Sequence, residues 1–245
     1  MDQYSKEPYD HLSLPSSDPF QSPTRWWSKE TVAIVTGANK GIGFALVKRL
    51  AEIGLTLILT ARDLERGSKA VESLKRQGLF VHFFRLDVSD PASIQAFVSW
   101  FSQNFPALDI LKMRNPSIKA ILASKDLSEE QIEGVVNSFL NDVKNGVWES
   151  RGWPEMWTDY AVSKLALSAY SRVLAKRYAG LGLSVNCYCP GFTQTAMTHG
   201  KGTHTADDAA ETGARLALLP PHQLPSGKFF VWANNNTATF LDSKL

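Results

Sequence analysis

A tyrosine and a lysine lie four residues apart in the segment Tyr160-Ala161-Val162-Ser163-Lys164, which opens a stretch of helical character. On a helix, two residues at this spacing share one face and are one turn apart. An ammonium group beside a phenol favours the phenolate and lowers the tyrosine pKa from about 10 towards neutral pH. Tyr160 could then donate a proton to a carbonyl oxygen as hydride arrives, or remove one from an alcohol. By itself, the spacing also fits an amphipathic helix that carries both residues by chance.

A glycine-rich turn lies upstream, where Gly37, Gly41 and Gly43 directly follow the apolar run 31–35. The pyrophosphate of a dinucleotide is negatively charged and needs backbone N–H groups close to it, which glycines after a buried strand allow. The N-terminus of the next helix adds free N–H donors and the positive end of the helix dipole. An ordinary glycine-rich turn is the alternative. The strand before this turn and the helix after it favour nucleotide binding.

The end of the second predicted strand bears on which nicotinamide cofactor would bind. An enzyme that uses NAD usually places an acidic residue there, on the ribose hydroxyls. Here the strand is followed by Arg62 and Asp63. Arg62 and Lys40 could pair with the 2′-phosphate of NADP through charge-assisted hydrogen bonds, so we favour NADP. Asp63 at the strand end would reverse that preference, and Arg62 as a solvated charge is a third possibility.

Apolar periodicity alternates along the chain between strand-like and helix-like segments. Short apolar runs of this kind are typical of parallel strands buried on both faces. The predicted strands are 31–35, 55–60, 80–86, 108–111, 183–188 and 228–232, and the predicted helices are 42–53, 64–77, 90–101, 128–145, 160–178 and 205–219. Strand and helix in this order predict a parallel α/β sheet.

Two predicted helices carry apolar stripes that we expect to be packing faces. The helix at 90–101 has Ile94, Phe97, Val98 and Phe101 on one face. The helix at 128–145 opens with a capping box and carries a longer stripe of Ile132, Val135, Val136, Phe139, Leu140 and Val143. Either stripe is explained most simply by burial within one domain.

Composition narrows the class of protein. The chain has 245 residues, 44% hydrophobic and 20% charged, which fits one large domain with a substantial core. The net charge of +2 argues against a nucleic-acid partner. No apolar run approaches the roughly 20 residues of a membrane-spanning helix, and no targeting segment is predicted. Residues 1–25, rich in Ser, Pro, Asp and Gln, are predicted to be a disordered tail before a domain at 26–245.

The cysteines and histidines give no sign of a disulfide or a metal site. Cys187 and Cys189 are two residues apart on a predicted strand, so they point the same way, which is poor geometry for a disulfide. We therefore expect a reducing, cytoplasmic location. His199 and His204 are expected to be a solvated pair, since no cysteine or carboxylate stands at ligand spacing.

Taken together, these motifs resemble those of the short-chain dehydrogenase/reductase family, and most of all the plant menthone, neomenthol and salutaridine type of carbonyl reductase. The matching segments are Thr36–Gly43, Leu86–Val88, Tyr160–Lys164 and Pro190–Thr195. The resemblance implies a single Rossmann-like domain with a doubly wound parallel sheet. It also implies an NADP-dependent oxidoreductase that interconverts a ketone and a secondary alcohol on a small apolar, terpenoid- or alkaloid-like substrate. The implied protein is a monomer without a nucleic-acid, membrane or metal partner.

The resemblance also implies roles for individual residues. Tyr160 would be the catalytic acid or base, and Lys164 would bind the nicotinamide ribose and tune Tyr160. Asp87 would meet the adenine amino group, unless it only caps the next helix. The implied cofactor-binding residues are Gly37, Asn39, Lys40, Gly41, Ile42, Gly43, Arg62, Asp87, Val88, Lys164, Pro190, Gly191 and Thr195, the last three at the nicotinamide end.

One part of the family pattern is missing. After the fourth strand the family has an Asn-Asn-Ala-Gly turn, a helix with a structural Asn, and a fifth strand that ends in the Ser orienting the carbonyl. Here Leu111 is followed by Lys112-Met113-Arg114. Residues 114–152 resemble the helical arm that such enzymes insert before the tyrosine, which leaves no room for a strand–helix–strand unit of about 30 residues. We infer a deletion near 111–114, and neither Ser124, in the arm, nor Ser163, inside the Tyr-Lys motif, replaces the lost serine.

The inferred deletion has expected consequences. The first and sixth strands would lose their usual neighbours, so their edges would be exposed or would pair anew. Loss of the serine hydrogen bond would cost a few kcal/mol of transition-state stabilisation, by analogy with an oxyanion-hole donor. Two further hypotheses therefore stand beside the enzyme. One is a catalytically impaired protein that binds only nucleotide or a protein partner, and the other is an interaction module built on the helix at 128–145.

Overall fold

The computed structural model describes residues 11–13, 20, 25–108, 110–112, 127–153, 158–220, 222–233 and 237–241. The strands in these ranges are β1 (His11–Ser13), β2 (Val32–Val35), β3 (Thr56–Ala61), β4 (His82–Arg85), β5 (Ile110–Lys112), β6 (Cys187–Cys189), β7 (Phe229–Ala233) and β8 (Thr237–Leu241). The α-helices are α1 (Gly41–Glu52), α2 (Leu64–Arg76), α3 (Pro91–Asn104), α4 (Glu129–Lys144), α5 (Thr158–Arg177) and α6 (Ala206–Ala217).

The strands form two four-stranded sheets. One has the order β4-β3-β2-β5 and is parallel throughout, as the alternating pattern predicted. The other has the order β1-β8-β7-β6, in which β6 and β7 are parallel while β8 runs antiparallel to both of its neighbours. A doubly wound sheet needs one more strand between β5 and β6 to be continuous. Within the described ranges no strand fills that place, so the Rossmann-like sheet is interrupted where the deletion was inferred.

The interruption does not expose the first strand of the parallel sheet. β2 has partners on both sides, since Ala33 lies opposite Leu57 of β3 and opposite Ile110 of β5. The prediction that this strand loses a neighbour is therefore wrong, because the fourth strand still pairs beside it. Among the described strands, it is β5 and β6 that each have a single partner at the break, so the prediction holds for the sixth strand.

The parallel sheet is covered on both faces because its strands are apolar on both. Ala33 and Val35 of β2 face a core formed with α1, α2 and α6. Val32 and Ile34, which alternate with them, face Phe97 of α3 on the opposite side. The glycine turn at the end of β2 thus begins from a strand that is fixed from both sides.

The apolar face predicted for α3 is only partly covered. Phe97 is buried, but Ile94 is 40% exposed and Val98 is 51% exposed. In a doubly wound sheet the crossovers from β4 to β5 and from β5 to the next strand run in the same direction, and right-handed crossovers place both helices on one face. The absent unit would therefore have put its helix beside α3. Its loss accounts for the exposed side chains.

The arm predicted at 114–152 is described from residue 127 onwards, and residues 114–126 lie outside the described ranges. Its helix α4 buries Ile132 and Phe139 and packs against α5. Leu140 and Val143, at the far end of the predicted stripe, are exposed. None of the helices described here combines the length and the apolar character that crossing a bilayer requires.

The segment predicted as a disordered tail is described only at residues 11–13, 20 and 25. The disordered tail stays a prediction, and the described residues make the following contacts. β1 pairs antiparallel with β8, and the Phe20 ring lies 4.7 Å from the Arg49 guanidinium and 5.5 Å from that of Arg215. The edge of β8 offers unpaired backbone groups with which residues 11–13 can pair. Cation–π contacts with two arginines stabilise the position of the Phe20 ring.

Candidate active site

The glycine turn has the tight geometry that its sequence predicted. Gly37 and Gly41 have φ values of +63° and +59°, a region that costs glycine little and other residues more. Gly43 is needed for a different reason, since a Cβ there would lie 3.0 Å from the Ala38 Cα and 3.1 Å from the Gly37 carbonyl oxygen. The Ala38 N–H donates to the Thr60 carbonyl at 3.0 Å, which ties the turn to the end of β3.

The helix that follows the turn has an N-terminus without a side-chain cap. Lys40 is the N-cap residue of α1, its side chain makes no capping hydrogen bond, and the first turn has no acidic residue. By contrast α2, α3, α4 and α6 are capped by Asp63, Asp90, Ser128 and Thr205. The first N–H groups of a helix need partners from outside it. At α1 these donors, with the positive end of the dipole, face the glycine turn and suit an anion.

Asp63, the acidic residue that could bind the ribose hydroxyls, caps the helix that follows the strand. β3 ends at Ala61, and Asp63 is the N-cap residue of α2, where its Oδ1 accepts the Arg66 N–H at 2.9 Å. Its other oxygen lies 3.8 Å from the Arg66 guanidinium. Arg62, between the strand and the helix, is exposed. Asp63 thus has a capping role at α2, which favours NADP over NAD.

Asp87 follows β4 and accepts hydrogen bonds within the turn that leads to α3. Its Oδ1 accepts from the Ser89 N–H at 2.9 Å and from the Ser89 hydroxyl at 2.6 Å. These two hydrogen bonds, and then the charges of Arg62 and Arg85, hold the pKa of Asp87 below its usual range. The N-cap of α3 is Asp90, so Asp87 shapes the approach to the helix and does not cap it. Contact of Asp87 or of the exposed Val88 with adenine remains a prediction.

The tyrosine and the lysine share one face of α5. The Lys164 Nζ lies 4.9 Å from the centroid of the Tyr160 ring, and Tyr160 is 39% exposed. Val162 and Leu165, between and after them, are buried on other sides of the helix. The predicted one-turn spacing is thus realised with the cation beside the phenol.

α5 is fixed to the strand that leads towards the glycine turn. The Ser171 hydroxyl and the Cys187 thiol are 3.1 Å apart, which joins the middle of α5 to β6. Cys187 and Cys189 are both free thiols, and burial raises the pKa of Cys189. β6 runs directly into the segment 190–195, which the resemblance placed at the nicotinamide end.

That segment returns to the glycine turn. A Cβ placed on Gly41 would lie 3.7 Å from the Thr195 Cγ2, an ordinary van der Waals distance. Thr195, predicted to contact the nicotinamide end, therefore borders the predicted pyrophosphate turn. The structure thus brings the segment 190–195 to the glycine turn and joins the middle of α5 to β6, the strand that precedes this segment.

His204 is buried, which the sequence did not predict. It is 6% exposed, whereas we expected a solvated pair with His199, which is exposed. Its Nε2 lies 2.6 Å from the Pro190 carbonyl oxygen, which can only accept, so Nε2 carries a proton. Its Nδ1 lies 3.0 Å from the Thr203 hydroxyl. Its ring also stacks on Trp232, so the expectation fails because tertiary partners cover this histidine.

The serine that the family pattern places at the carbonyl has no substitute among the described residues of this region. Ser163 is exposed, and its hydroxyl donates to the Tyr160 carbonyl oxygen within the helix at 2.8 Å. Ser124 lies outside the described ranges. In the ranges that are described, no group of three His, Cys, Asp or Glu side chains could hold a metal ion.

Comparisons with known proteins agree with this geometry. The family model described as "short chain dehydrogenase" matches residues 31–150 and 150–206. (+)-Neomenthol dehydrogenase of Arabidopsis thaliana is 31% identical over 81% of this chain and 95% of its own length. Carbonyl reductase [NADPH] 1 of Rattus norvegicus is 30% identical over 82% of this chain and 96% of its own. The structure of salutaridine reductase from Papaver somniferum superposes with a TM-score of 0.74 and 29% identity, covering 81% of this chain and 99% of that one.

The chain therefore belongs to the short-chain dehydrogenase family and is, by family, an oxidoreductase. Its alignment with the Arabidopsis protein extends over 284 positions, although it uses only 81% of a 245-residue chain. Many positions of that relative thus have no counterpart here. This agrees with the interruption between β5 and β6.

Proposed function

We propose that this short-chain dehydrogenase uses NADP to interconvert a ketone and a secondary alcohol on a small apolar substrate. The observation that carries the proposal is the approach of the segment 190–195 to the glycine turn, with the helix of Tyr160 and Lys164 fixed to the strand that precedes it. These are the parts that a hydride-transfer site needs: an anion-binding turn, a wall at the nicotinamide end and a proton donor beside a cation.

The cofactor would be bound by backbone groups at its pyrophosphate and by side chains at its ends. The residues Gly37, Asn39, Lys40, Gly41, Ile42 and Gly43 form the uncapped turn that suits the pyrophosphate. Arg62 is exposed at the end of β3, and Asp63, its acidic neighbour, caps α2. The relatives include a carbonyl reductase named for NADPH, which supports the same cofactor here.

Proton transfer falls to Tyr160 and its neighbour. When bound, the nicotinamide supplies hydride to the substrate carbon or accepts it. The Tyr160 hydroxyl would give its proton to the carbonyl oxygen in reduction and take it back in oxidation. The Lys164 ammonium group, 4.9 Å from the ring centroid, would stabilise the phenolate that remains. Lys164 would also bind the nicotinamide ribose.

The apolar character of the substrate follows from the side chains around the predicted nicotinamide end. Phe192 and Met197 are both exposed, on either side of Thr195, and Tyr160 is partly exposed. Exposed aromatic and thioether groups at a predicted site favour an apolar ligand. The names of neomenthol dehydrogenase and salutaridine reductase support a terpenoid- or alkaloid-like ketone or alcohol. We further propose a cytoplasmic monomer, in which the free cysteines fit a reducing compartment.

The test begins with NADPH binding, followed by fluorescence, and continues with NADPH oxidation against a panel of cyclic terpenoid and alkaloid ketones. Tyr160→Phe should keep NADPH binding and lose about 10²- to 10⁴-fold in turnover, the range typical of a lost acid–base group. Tyr170→Phe is the matched control, since Tyr170 is also exposed on α5. A wild-type protein that binds NADPH and oxidises it with no ketone would contradict the enzymatic proposal.

A second candidate function is nucleotide binding with little or no catalysis. The break between β5 and β6 and the lack of an orienting serine favour it, because a missing hydrogen-bond donor weakens transition-state stabilisation. Inserting the missing helix and strand of a relative after β5 should then raise turnover at least about 10²-fold with little change in NADPH affinity. Equal turnover with and without the segment would exclude this candidate.

A further inference from the structure

Arg62 and Arg85 lie at the carboxyl edge of the parallel sheet, both near enough to Asp87 to lower the pKa of its carboxyl. Arg85 ends β4 and lies opposite Ala61, the last residue of β3, in the parallel register. Its Nε donates to the Arg62 carbonyl oxygen at 3.0 Å, so Arg85 holds the backbone of the residue predicted to bind the 2′-phosphate. Both side chains are exposed.

The charges at this place differ from those around another pair of arginines, Arg49 and Arg215. Among the residues that the structure describes, Arg62 and Arg85 form no salt bridge. Elsewhere, where Arg49 and Arg215 come together, both lie on the carboxylate of Glu211.

Asp87 is the carboxylate whose pKa both Arg62 and Arg85 lower, yet its Oδ1 is already taken by Ser89. Both cations thus lie near one carboxylate, and a further anion at the same edge of the sheet would be attracted by both.

We propose that Arg85 is a specificity-determining residue that binds the 2′-phosphate of NADP together with Arg62. A guanidinium group has five N–H donors, and the bond to Arg62 uses only Nε. The Nη groups remain for phosphate oxygens, which arginine binds in a planar, charge-assisted manner. The inference deepens the proposed function, because it presumes the NADP site described above, and it adds a ligand that the sequence motifs did not single out.

The chemistry predicts discrimination between two nicotinamide cofactors. NADPH and NADH differ only by the 2′-phosphate, so a residue that binds this group changes the affinity for one and not for the other. A residue that merely supports the fold of the strand end would change both. The comparison therefore separates phosphate binding from a structural role.

The experiment measures dissociation constants of NADPH and NADH by fluorescence titration for the wild type, Arg85→Gln, Arg85→Lys and Arg76→Gln. Arg76 is an exposed arginine at the far end of α2 and serves as the control. We expect Arg85→Gln to weaken NADPH about 10- to 100-fold and leave NADH unchanged, the range for a lost charge-assisted bond. Arg85→Lys should have an intermediate NADPH affinity, because it keeps the positive charge and loses the planar set of N–H donors. Arg76→Gln should match the wild type.

Adenosine 2′,5′-bisphosphate and adenosine 5′-monophosphate serve as second probes, since their binding does not depend on the nicotinamide end. The bisphosphate alone should lose affinity in Arg85→Gln. Unchanged NADPH affinity in that variant, or an equal loss for NADPH and NADH in both Arg85 variants, would overturn the inference while leaving the proposed function in place. A wild type that binds no NADPH would overturn both.

Discussion

The imidazole ring of His204 lies parallel to the indole ring of Trp232, with centroids 3.7 Å apart and planes inclined by 11°. Trp232 belongs to β7, while His204 follows the segment 190–195 that borders the glycine turn. The stacked pair and the bond from Nε2 to the Pro190 carbonyl oxygen therefore anchor this segment to the sheet. The segment 190–195, which forms one side of the predicted nicotinamide pocket, thus depends on His204, a residue outside every family motif.

Replacing His204 should make the segment 190–195 less firmly held against the sheet. His204→Ala removes one of two donors to the half-buried Pro190 carbonyl oxygen, which also accepts from the Thr193 hydroxyl at 3.0 Å, and it removes the ring that stacks on Trp232. It should lower the free energy of unfolding by about 1–3 kcal/mol. It should also weaken NADPH binding, because the segment 190–195 loses its anchor. His204→Gln, which offers an N–H donor at a similar reach, should restore part of both losses. Urea denaturation and NADPH titration measure the two effects.

His199→Ala is the control for the histidine experiment, since His199 is exposed in the same loop. It should match the wild type in both measurements. Equal stability and equal NADPH affinity of His204→Ala and His199→Ala would contradict the anchoring role.

Two glycines in helices should respond in opposite directions to the same change. Gly43→Ala would place a Cβ 3.0 Å from the Ala38 Cα, so the backbone of the turn must shift. We expect a loss of about 1–3 kcal/mol in stability, as for other overpacked sites, together with weaker NADPH binding. Gly134→Ala, in α4, adds a methyl group in open space and should stabilise the protein by up to about 1 kcal/mol.

Urea denaturation under one set of conditions compares the free energies of unfolding of the two variants with that of the wild type. A Gly43→Ala protein that is as stable as Gly134→Ala, with unchanged NADPH affinity, would show that the turn can widen freely. The described contact would then not be the reason for glycine at position 43.

The elements around the glycine turn were predictable because burial there is continuous. All four residues of β2 are buried, and α1 buries Ile42, Ala45, Leu46 and Leu50, so the periodicity of the sequence reports the fold directly. The strand β8 was not predicted. It follows a run of asparagines at the end of the last predicted strand, and its pairing depends on partners at both sides, β7 and β1.

The site was predictable only where chemistry follows from local spacing. The pairing of Tyr160 with Lys164 needs one helical turn, and the free N-terminus of α1 needs only the turn before it. The roles of Arg85 and His204 depend on neighbours that are distant in the chain: Arg62 lies 23 residues from Arg85, and Pro190 lies 14 residues from His204. No periodicity or motif reports such contacts.

The start of α6 should make stability depend on pH in the acid range. Asp208 accepts from the Thr205 hydroxyl at 2.6 Å and from the Thr205 N–H at 2.9 Å, and these two bonds hold its pKa below the ordinary value of 3.8. Because the folded state favours the carboxylate, its contribution is present above the ordinary pKa. It is lost as the pH falls through the lower, folded value.

Asp208→Asn should therefore reduce the loss of stability on acidification, measured as the urea midpoint between pH 6 and pH 2. Thr205→Ala should lower the free energy of unfolding at neutral pH by about 1 kcal/mol, since it removes the N-cap. Asp207→Asn is the control, because the neighbouring carboxylate takes no part in the capping box. An acid dependence in Asp208→Asn equal to that of the wild type would show that this carboxylate is not responsible.

The exposed face of α3 gives a direct test of the interrupted sheet. Phe97 is buried against Val32, Ile34 and Ile58, so Phe97→Ala should cost about 3–5 kcal/mol. Val98 is the next residue along and is 51% exposed, so Val98→Gln should change the free energy of unfolding by less than about 0.5 kcal/mol. In a relative with the additional helix, the equivalent position would be covered, and the same change there would be costly. A large loss for Val98→Gln here would mean that another part of the chain covers α3, and the account of the missing unit would have to be revised.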